Sequence, residues 1–143
     1  MRAGKARPPR ETFLSHSAQD HRFTSRLAAT LREHGIPVWY SPTEIVGAQQ
    51  WHDQIGAALS RCDSFIVVLS PNSVKSQWVQ RELLYALNDA RYVERITPLL
   101  YRRCDIERLS WTLSGFHRVD FTKRFEDGCS QLLRAWGLGF RGQ

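Results

Sequence analysis

An α/β architecture, a parallel sheet covered by helices on both faces, is what this 143-residue sequence predicts. Three observations predict it. Strand-length apolar runs alternate with segments of helical periodicity along the chain after residue 10. The run Asp63–Ser70 (DSFIVVLS) is continuously apolar and rich in β-branched residues, as a central strand buried on both faces must be. Helical stripes such as Val79, Leu83 and Leu87 are apolar on one side only, as helices packed on a sheet are.

Each element follows in order. Thr12–Ser15 reads as the first strand. Ser17-Ala-Gln-Asp20 has the spacing of a capping box, and Phe23, Leu27 and Leu31 then recur as one helical stripe that Gly35 closes. Ile36–Tyr40 is the second strand. Ser41–Gln49 holds Pro42 and Gly47 and reads as a loop. Trp51, Ile55, Ala58 and Leu59 form the next stripe, and Asp63–Ser70 the third strand. Pro71-Asn72 turns the chain into a helix over Ser76–Ala90. Arg95–Leu100 is the fourth strand, although Pro98 removes a ladder donor. Residues 101–116 carry a helical turn near Asp105–Leu109. His117–Phe121 is an edge strand, and a last helix runs from residue 122 or 123 to Trp136. Right-handed crossovers reduce five such strands to the flavodoxin-like order 2-1-3-4-5, whose ligand crevice lies beyond the carboxyl ends of strands 1 and 3.

Length and composition bound the rest. Residues 11–137 are one domain, 1–10 a basic flexible tail, and 138–143 a second tail or the start of a linker. No apolar run approaches the ~18 residues of a membrane span, and no apolar stretch follows the basic start as a secretory signal requires. The cysteines, Cys62, Cys104 and Cys129, are odd in number and far apart, which excludes a disulfide framework and fits the reducing cytoplasm. The net charge of +6 is concentrated in Arg2, Lys5, Arg7 and Arg10; without them 16 basic residues face 14 acidic ones. The tail has two readings, an arm for an anionic partner or a solvated lead-in. The absence of interleaved aromatics favours the second, and the body is not expected to bind nucleic acid.

Several chemistries are missing. There is no G-x-G-x-x-G, no Walker A sequence and no G-x-S-x-G elbow, and no acidic pair follows the first strand. The five histidines show no metal spacing on a helix face, so no metal is expected. What remains is Trp78 and Glu82, one turn apart on the helix after the third strand. An indole and a carboxylate there would stand at the crevice, the indole as a stacking wall that partly dries the acid. The plainer alternatives are a core tryptophan and a surface glutamate paired with Arg81 or Lys75. Ser15, His16 and Ser17 end the first strand, at the carboxyl end where such sheets bind ligands, and the helix start beside Ser17 would favour an anion such as a phosphate. Ser17 and Ser76 also read as simple helix caps.

The ordered set Phe13-Leu-Ser-His-Ser-x-x-Asp20, Gly35-Ile-Pro-Val-Trp-Tyr40, Gly47-x-x-x-Trp51-x-x-x-Ile55, Phe65-Ile-Val-Val-Leu-Ser-Pro-Asn-Ser73 and Ser76-x-Trp78-Val-x-x-Glu82-Leu83 resembles a Toll/interleukin-1 receptor (TIR) domain of the bacterial immune-effector type over residues 11–137. That resemblance implies the same fold. It also implies that Glu82, in a Trp-x-x-x-Glu pattern, is the catalytic acid of an enzyme that cleaves the nicotinamide–ribose bond of NAD+. The product would be ADP-ribose or a cyclic isomer, with NAD+ as substrate and no separate cofactor. Substrate contacts would come from Ser15, His16, Ser17, Ser41, Trp51, Ser76 and Trp78. Where many such enzymes carry an acid after the second strand, this chain has Ser41, with Glu44 nearby. The family further implies self-association through the loop Ser41–Gln49, activation by assembly, a fused or bound sensor and a role in antiphage defence. A non-catalytic TIR–TIR scaffold is the alternative, and a different nucleoside-processing flavodoxin-like enzyme a third reading.

Overall fold

The computed structural model describes residues 7–41 and 48–142, excepting the side chains of residues 48–52. Five parallel strands, β1 (Thr12–Ser15), β2 (Val38–Tyr40), β3 (Ser64–Leu69), β4 (Ile96–Leu100) and β5 (Val119–Asp120), form one sheet in the order β2-β1-β3-β4-β5. Helices α1 (His21–Glu33), α2 (Ala48–Arg61), α3 (Gln77–Leu87), α4 (Ile106–Leu109) and α5 (Phe125–Ala135) connect or follow them.

Strand alternation sorts the core into two layers. Phe13, Phe65, Val67 and Leu69 face α2, α3 and α4, with the Phe13 ring stacked on Phe65 and on Trp39. Leu14, Ile66, Leu99 and Val119 face α1 and α5 through Leu27, Leu31, Leu132 and Leu133. β3 is buried along its entire length, as its uninterrupted apolar run requires. Pro98 is accommodated because β5 pairs only with Leu99 and Leu100 and has no residue opposite the proline.

The elements are shorter than their patterns predict, for local reasons. Ile36 and Pro37 do not extend β2. The Ile36 N–H instead returns to Leu31 O at 3.0 Å and the Gly35 N–H to Arg32 O at 3.0 Å, closing α1 in a Schellman motif. The helix predicted to reach Ala90 ends at Leu87. Asp89 accepts from the Arg91 N–H and starts a separate turn over Ala90–Tyr92, where the buried Tyr92 hydroxyl donates to Leu59 O at 2.6 Å. α2 begins at Ala48, inside the predicted loop. The edge strand contracts to two residues. Residues 138–142 continue onto α1: Phe140 stacks on His34, and the Arg141 N–H donates to His34 Nε2 at 2.9 Å.

Gly35 has φ +82°, in the left-handed region. Gly35→Ala meets open space around its Cβ, so its cost is conformational only. It should lower unfolding stability by about 1 kcal/mol, measured by denaturant titration. Among the described residues no helix is long and apolar enough to cross a membrane.

Candidate active site

Strand order reverses between β1 and β3, so their carboxyl ends border the crevice where such sheets bind ligands. Ser15 ends β1. The chain leaving β3 passes through Ser70, a short turn at Ser73–Lys75 and Ser76, whose Oγ accepts from the Val79 N–H at 3.2 Å and caps α3. Val79 and Leu83 root α3 in the core, and this fixes the rotation at which Glu82 faces back toward the sheet.

Glu82 is only 6% exposed, and Ser15 Oγ donates to its Oε1 at 2.7 Å. The surface-glutamate reading is thereby excluded. Burial pushes the Glu82 carboxyl up to about 7, against the opposing pull of the Ser15 hydrogen bond. Both protonation states are accordingly accessible near neutrality, in a group that would be fully ionised in water.

The other sequence-derived candidates fall into place unevenly. Trp78 is not a core residue: it is 37% exposed, and the Arg81 guanidinium lies 5.6 Å from its ring centroid. His16 is half-buried against His21 and Tyr40, with ring centroids 5.8 and 5.9 Å away. Burial pushes its imidazole down to about 4, so it is neutral at neutral pH. Its Nδ1 is buried without a hydrogen-bond partner among the described residues. Ser41 is half-buried directly after β2. The backbone of Trp51 is part of α2; its side chain, and residues 42–47 of the predicted loop, lie outside the described residues.

One expectation needs correction. Ser17 caps a three-residue 3-10 turn over Ala18–Asp20, accepting from the Gln19 N–H at 3.4 Å, and Asp20 does not complete a capping box. Instead Asp20 occupies the N-cap position of α1 with its side chain buried and making no cap hydrogen bond. Short-range spacing concealed what Asp20 does. Its Oδ2 accepts from Ser70 Oγ at 2.5 Å and its Oδ1 from Asn72 Nδ2 at 3.0 Å, tying the loop after β1 to the end of β3. The one signal in the sequence was a serine closing an otherwise apolar strand.

Elsewhere the chemistry is quiet. Burial pushes the Cys62 and Cys129 thiols up to about 12, which removes them as nucleophiles. No group of three or more potential ligands among the described residues could hold a metal. A cavity of about 620 Å³ between Arg10, Arg61, Asp63 and Arg91 lies at the amino ends of β1 and β3, away from Glu82. Two of its arginines are already engaged, Arg61 by Glu11 at 2.6 Å and Arg91 by Asp89 at 2.7 Å.

Comparison with known proteins places these features in a family. A family model described as TIR domain matches residues 12–133. The NAD(+) hydrolase PdTIR of Paracoccus denitrificans is 34% identical over 132 residues, covering 88% of this chain and 44% of that protein. The 2' cyclic ADP-D-ribose synthase BtTIR of Bacteroides thetaiotaomicron is 36% identical over 72 residues, 50% of this chain and 25% of that protein. The chain thus spans less than half the length of these curated relatives. Among solved structures, the TIR domain of the Toll-related receptor TRR-2 from Hydra magnipapillata superposes with a TM-score of 0.66 at 20% identity, covering 80% of this chain and 86% of that one. The TIR domains of the activated Roq1 resistosome give 0.67 at 19% identity, covering 87% and 97%. With the predicted sheet order, the Ser15–Glu82 pairing and a family match along most of its length, the chain belongs to the TIR domain family.

Proposed function

We propose that this chain is an NAD+-cleaving TIR domain in which Glu82 is the catalytic carboxylate. The observation that carries the proposal is the buried Glu82, bonded to Ser15 at the switch point of the sheet. The names of relatives that hydrolyse NAD+ or make a cyclic ADP-ribose support it.

The chemistry explains why one acid suffices. Cleavage of the nicotinamide–ribose bond turns a cationic ring into a neutral leaving group. That group needs no proton, so the acid partner of a glycosidase carboxylate pair is dispensable. The remaining requirement is a negative charge beside the ribose as positive charge develops there. Glu82 supplies it in ionised form. The Ser15 hydroxyl occupies Oε1 and fixes the carboxylate plane, while Oε2 would take a ribose hydroxyl. Attack by water gives ADP-ribose, nicotinamide and a proton; attack by a hydroxyl of the same molecule gives a cyclic product. Trp78, exposed one turn away on α3, would stack on a flat ring. His16, neutral at the end of β1, is a further proposed contact to the nucleotide. Ser41 and Trp51 complete the proposed contacts; Ser76 serves as the cap of α3.

The proposed setting is an antiphage effector in the bacterial cytoplasm. A fused or bound sensor would supply the activating cue, and self-association through the loop Ser41–Gln49 would close the site. The test is chromatography of NAD+ products at low and high protein concentration. Turnover per molecule should rise steeply with concentration or artificial clustering. If clustered protein consumes no NAD+, the scaffold reading replaces this one.

Ser15→Ala gives a graded check. Loss of the hydroxyl removes the hydrogen bond that, among the described residues, favours ionised Glu82. The pH at which activity reaches half its maximum should move up by about one unit, with roughly fivefold lower turnover at neutral pH.

A further inference from the structure

Two links cross the space between the first and third βα connections. One is Ser15 Oγ to Glu82 Oε1. The other is Asp20, whose Oδ2 accepts from Ser70 Oγ and whose Oδ1 accepts from Asn72 Nδ2. Ser15 and Asp20 bracket the loop after β1; Ser70 and Glu82 bracket the turn and first helical residues after β3. The four residues therefore close a ring with two cross-links, and the slack of each depends on the other.

The Asp20 end of that ring is heavily determined. Asp20 is 5% exposed and Ser70 fully buried. Ser70 Oγ, besides donating to Asp20, accepts from the N–H groups of Asn72 and Ser73, each at 3.1 Å. Ser73 Oγ in turn accepts from the Ser70 N–H at 2.9 Å and donates to Ser70 O at 3.1 Å. Thr24 Oγ1 donates to Asp20 O at 3.0 Å, tying the first turn of α1 to the same point. No Lys or Arg forms an ion pair with Asp20 among the described residues; its carboxylate is held by a hydroxyl and an amide. A buried carboxylate with only neutral donors is a costly way to join two loops, and an apolar contact would join them at lower cost. What the charge adds is direction, because it fixes the Ser70 hydroxyl and through it the turn that launches α3.

From this geometry we infer that Asp20 is a positioning residue for the site: by anchoring Ser70 it holds the β1 loop and α3 at the separation that keeps Ser15 on Glu82. The inference rests on the proposed role of Glu82, but it has a readout that needs no turnover. Among the described residues the Asp20 carboxylate bonds to Ser70 and Asn72 and not to Ser15 or Glu82. It acts only through the second cross-link.

The test compares Asp20→Asn, Ser70→Ala, Ser15→Ala and the double variant Ser15→Ala/Asp20→Asn. The Glu82 carboxyl is followed by carbon NMR titration of the full chain without NAD+, and kcat and KM are measured on clustered protein. In Asp20→Asn and Ser70→Ala the Glu82 midpoint should rise as the Ser15 bond loosens. The kcat should fall roughly 10- to 100-fold, with KM within about threefold of wild type. The double variant should be no worse than Ser15→Ala alone, because both changes break one path. If folded Asp20→Asn and Ser70→Ala leave the Glu82 midpoint in place, or if the double variant loses the product of the two single losses, the inference is overturned. Should Asp20→Asn not fold, Ser70→Ala carries the test, since it removes one oxygen and leaves the carboxylate. Wild-type protein that titrates as expected but never consumes NAD+ would overturn the proposed function and leave this inference standing.

Discussion

Glu82→Gln is expected to reduce NAD+ turnover by at least roughly 10³-fold while leaving KM within a few-fold of wild type. The glutamine is isosteric, and its amide oxygen can still accept the Ser15 Oγ–H that now ends on Oε1 at 2.7 Å. Shape, packing and the hydrogen bond to β1 are retained, and only the negative charge is lost. Any loss of rate therefore measures the charge itself. In the ground state NAD+ already carries its positive charge on the nicotinamide ring. During cleavage that charge migrates onto the ribose, so a carboxylate beside the ribose binds the transition state better than the substrate and acts on kcat. Glu82→Asp keeps the charge but shortens the side chain by one methylene, which withdraws it from Ser15. It should retain more turnover than Glu82→Gln if charge dominates, and less if the Ser15 contact dominates. Single-turnover measurement of nicotinamide release on clustered protein checks both. A Glu82→Gln variant with near wild-type release would remove Glu82 from the chemistry altogether.

Much of the fold was legible because its signals are local and repeated. The run over residues 64–69 has nowhere to go but the centre of a sheet, and Gly35 announces the end of α1 through a conformation other residues avoid. The site was half legible. The Trp78–Glu82 spacing located the acid, and the family resemblance gave it a role. No spacing rule, however, joins Ser15 to Glu82 or Asp20 to Ser70, which lie 67 and 50 residues apart in the chain. Those pairings exist only once β1 and β3 are neighbours. Asp20 was misread for the same reason: its spacing from Ser17 satisfied a local rule, while its real partner lay across the sheet. Of the alternatives weighed for Trp78 and Glu82, the core tryptophan and the surface glutamate both fail, the acid lying inside and the indole outside. Helical spacing fixes the angle between two side chains but not which one faces the sheet, and the positions of Val79 and Leu83 decide that.

The same burial that readies Glu82 should make the wild-type protein less stable above neutral pH than Glu82→Gln. The folded carboxyl is raised from 4.5 to about 7, so between these values the folded state holds a proton that the unfolded chain has released. Stability then falls as pH rises through that interval. Below about pH 4.5 both states are protonated and Glu82 imposes no electrostatic penalty; above about pH 7 it is ionised in both and the desolvation cost is fully expressed. A shift of this size corresponds to about 3 kcal/mol. Glutamine carries no such burden at any pH. Denaturant unfolding should therefore find the variant and wild type close together near pH 4.5 and diverging to a few kcal/mol in favour of the variant at pH 8. Carboxylates with lowered values, such as half-buried Asp89 bonded to Arg91, titrate in both proteins and cancel in the comparison. A difference that stays flat from pH 4.5 to 8 would mean that Glu82 titrates as an ordinary carboxylate. Its poise for chemistry near neutrality would then be lost along with the stability effect, because the same desolvation produces both.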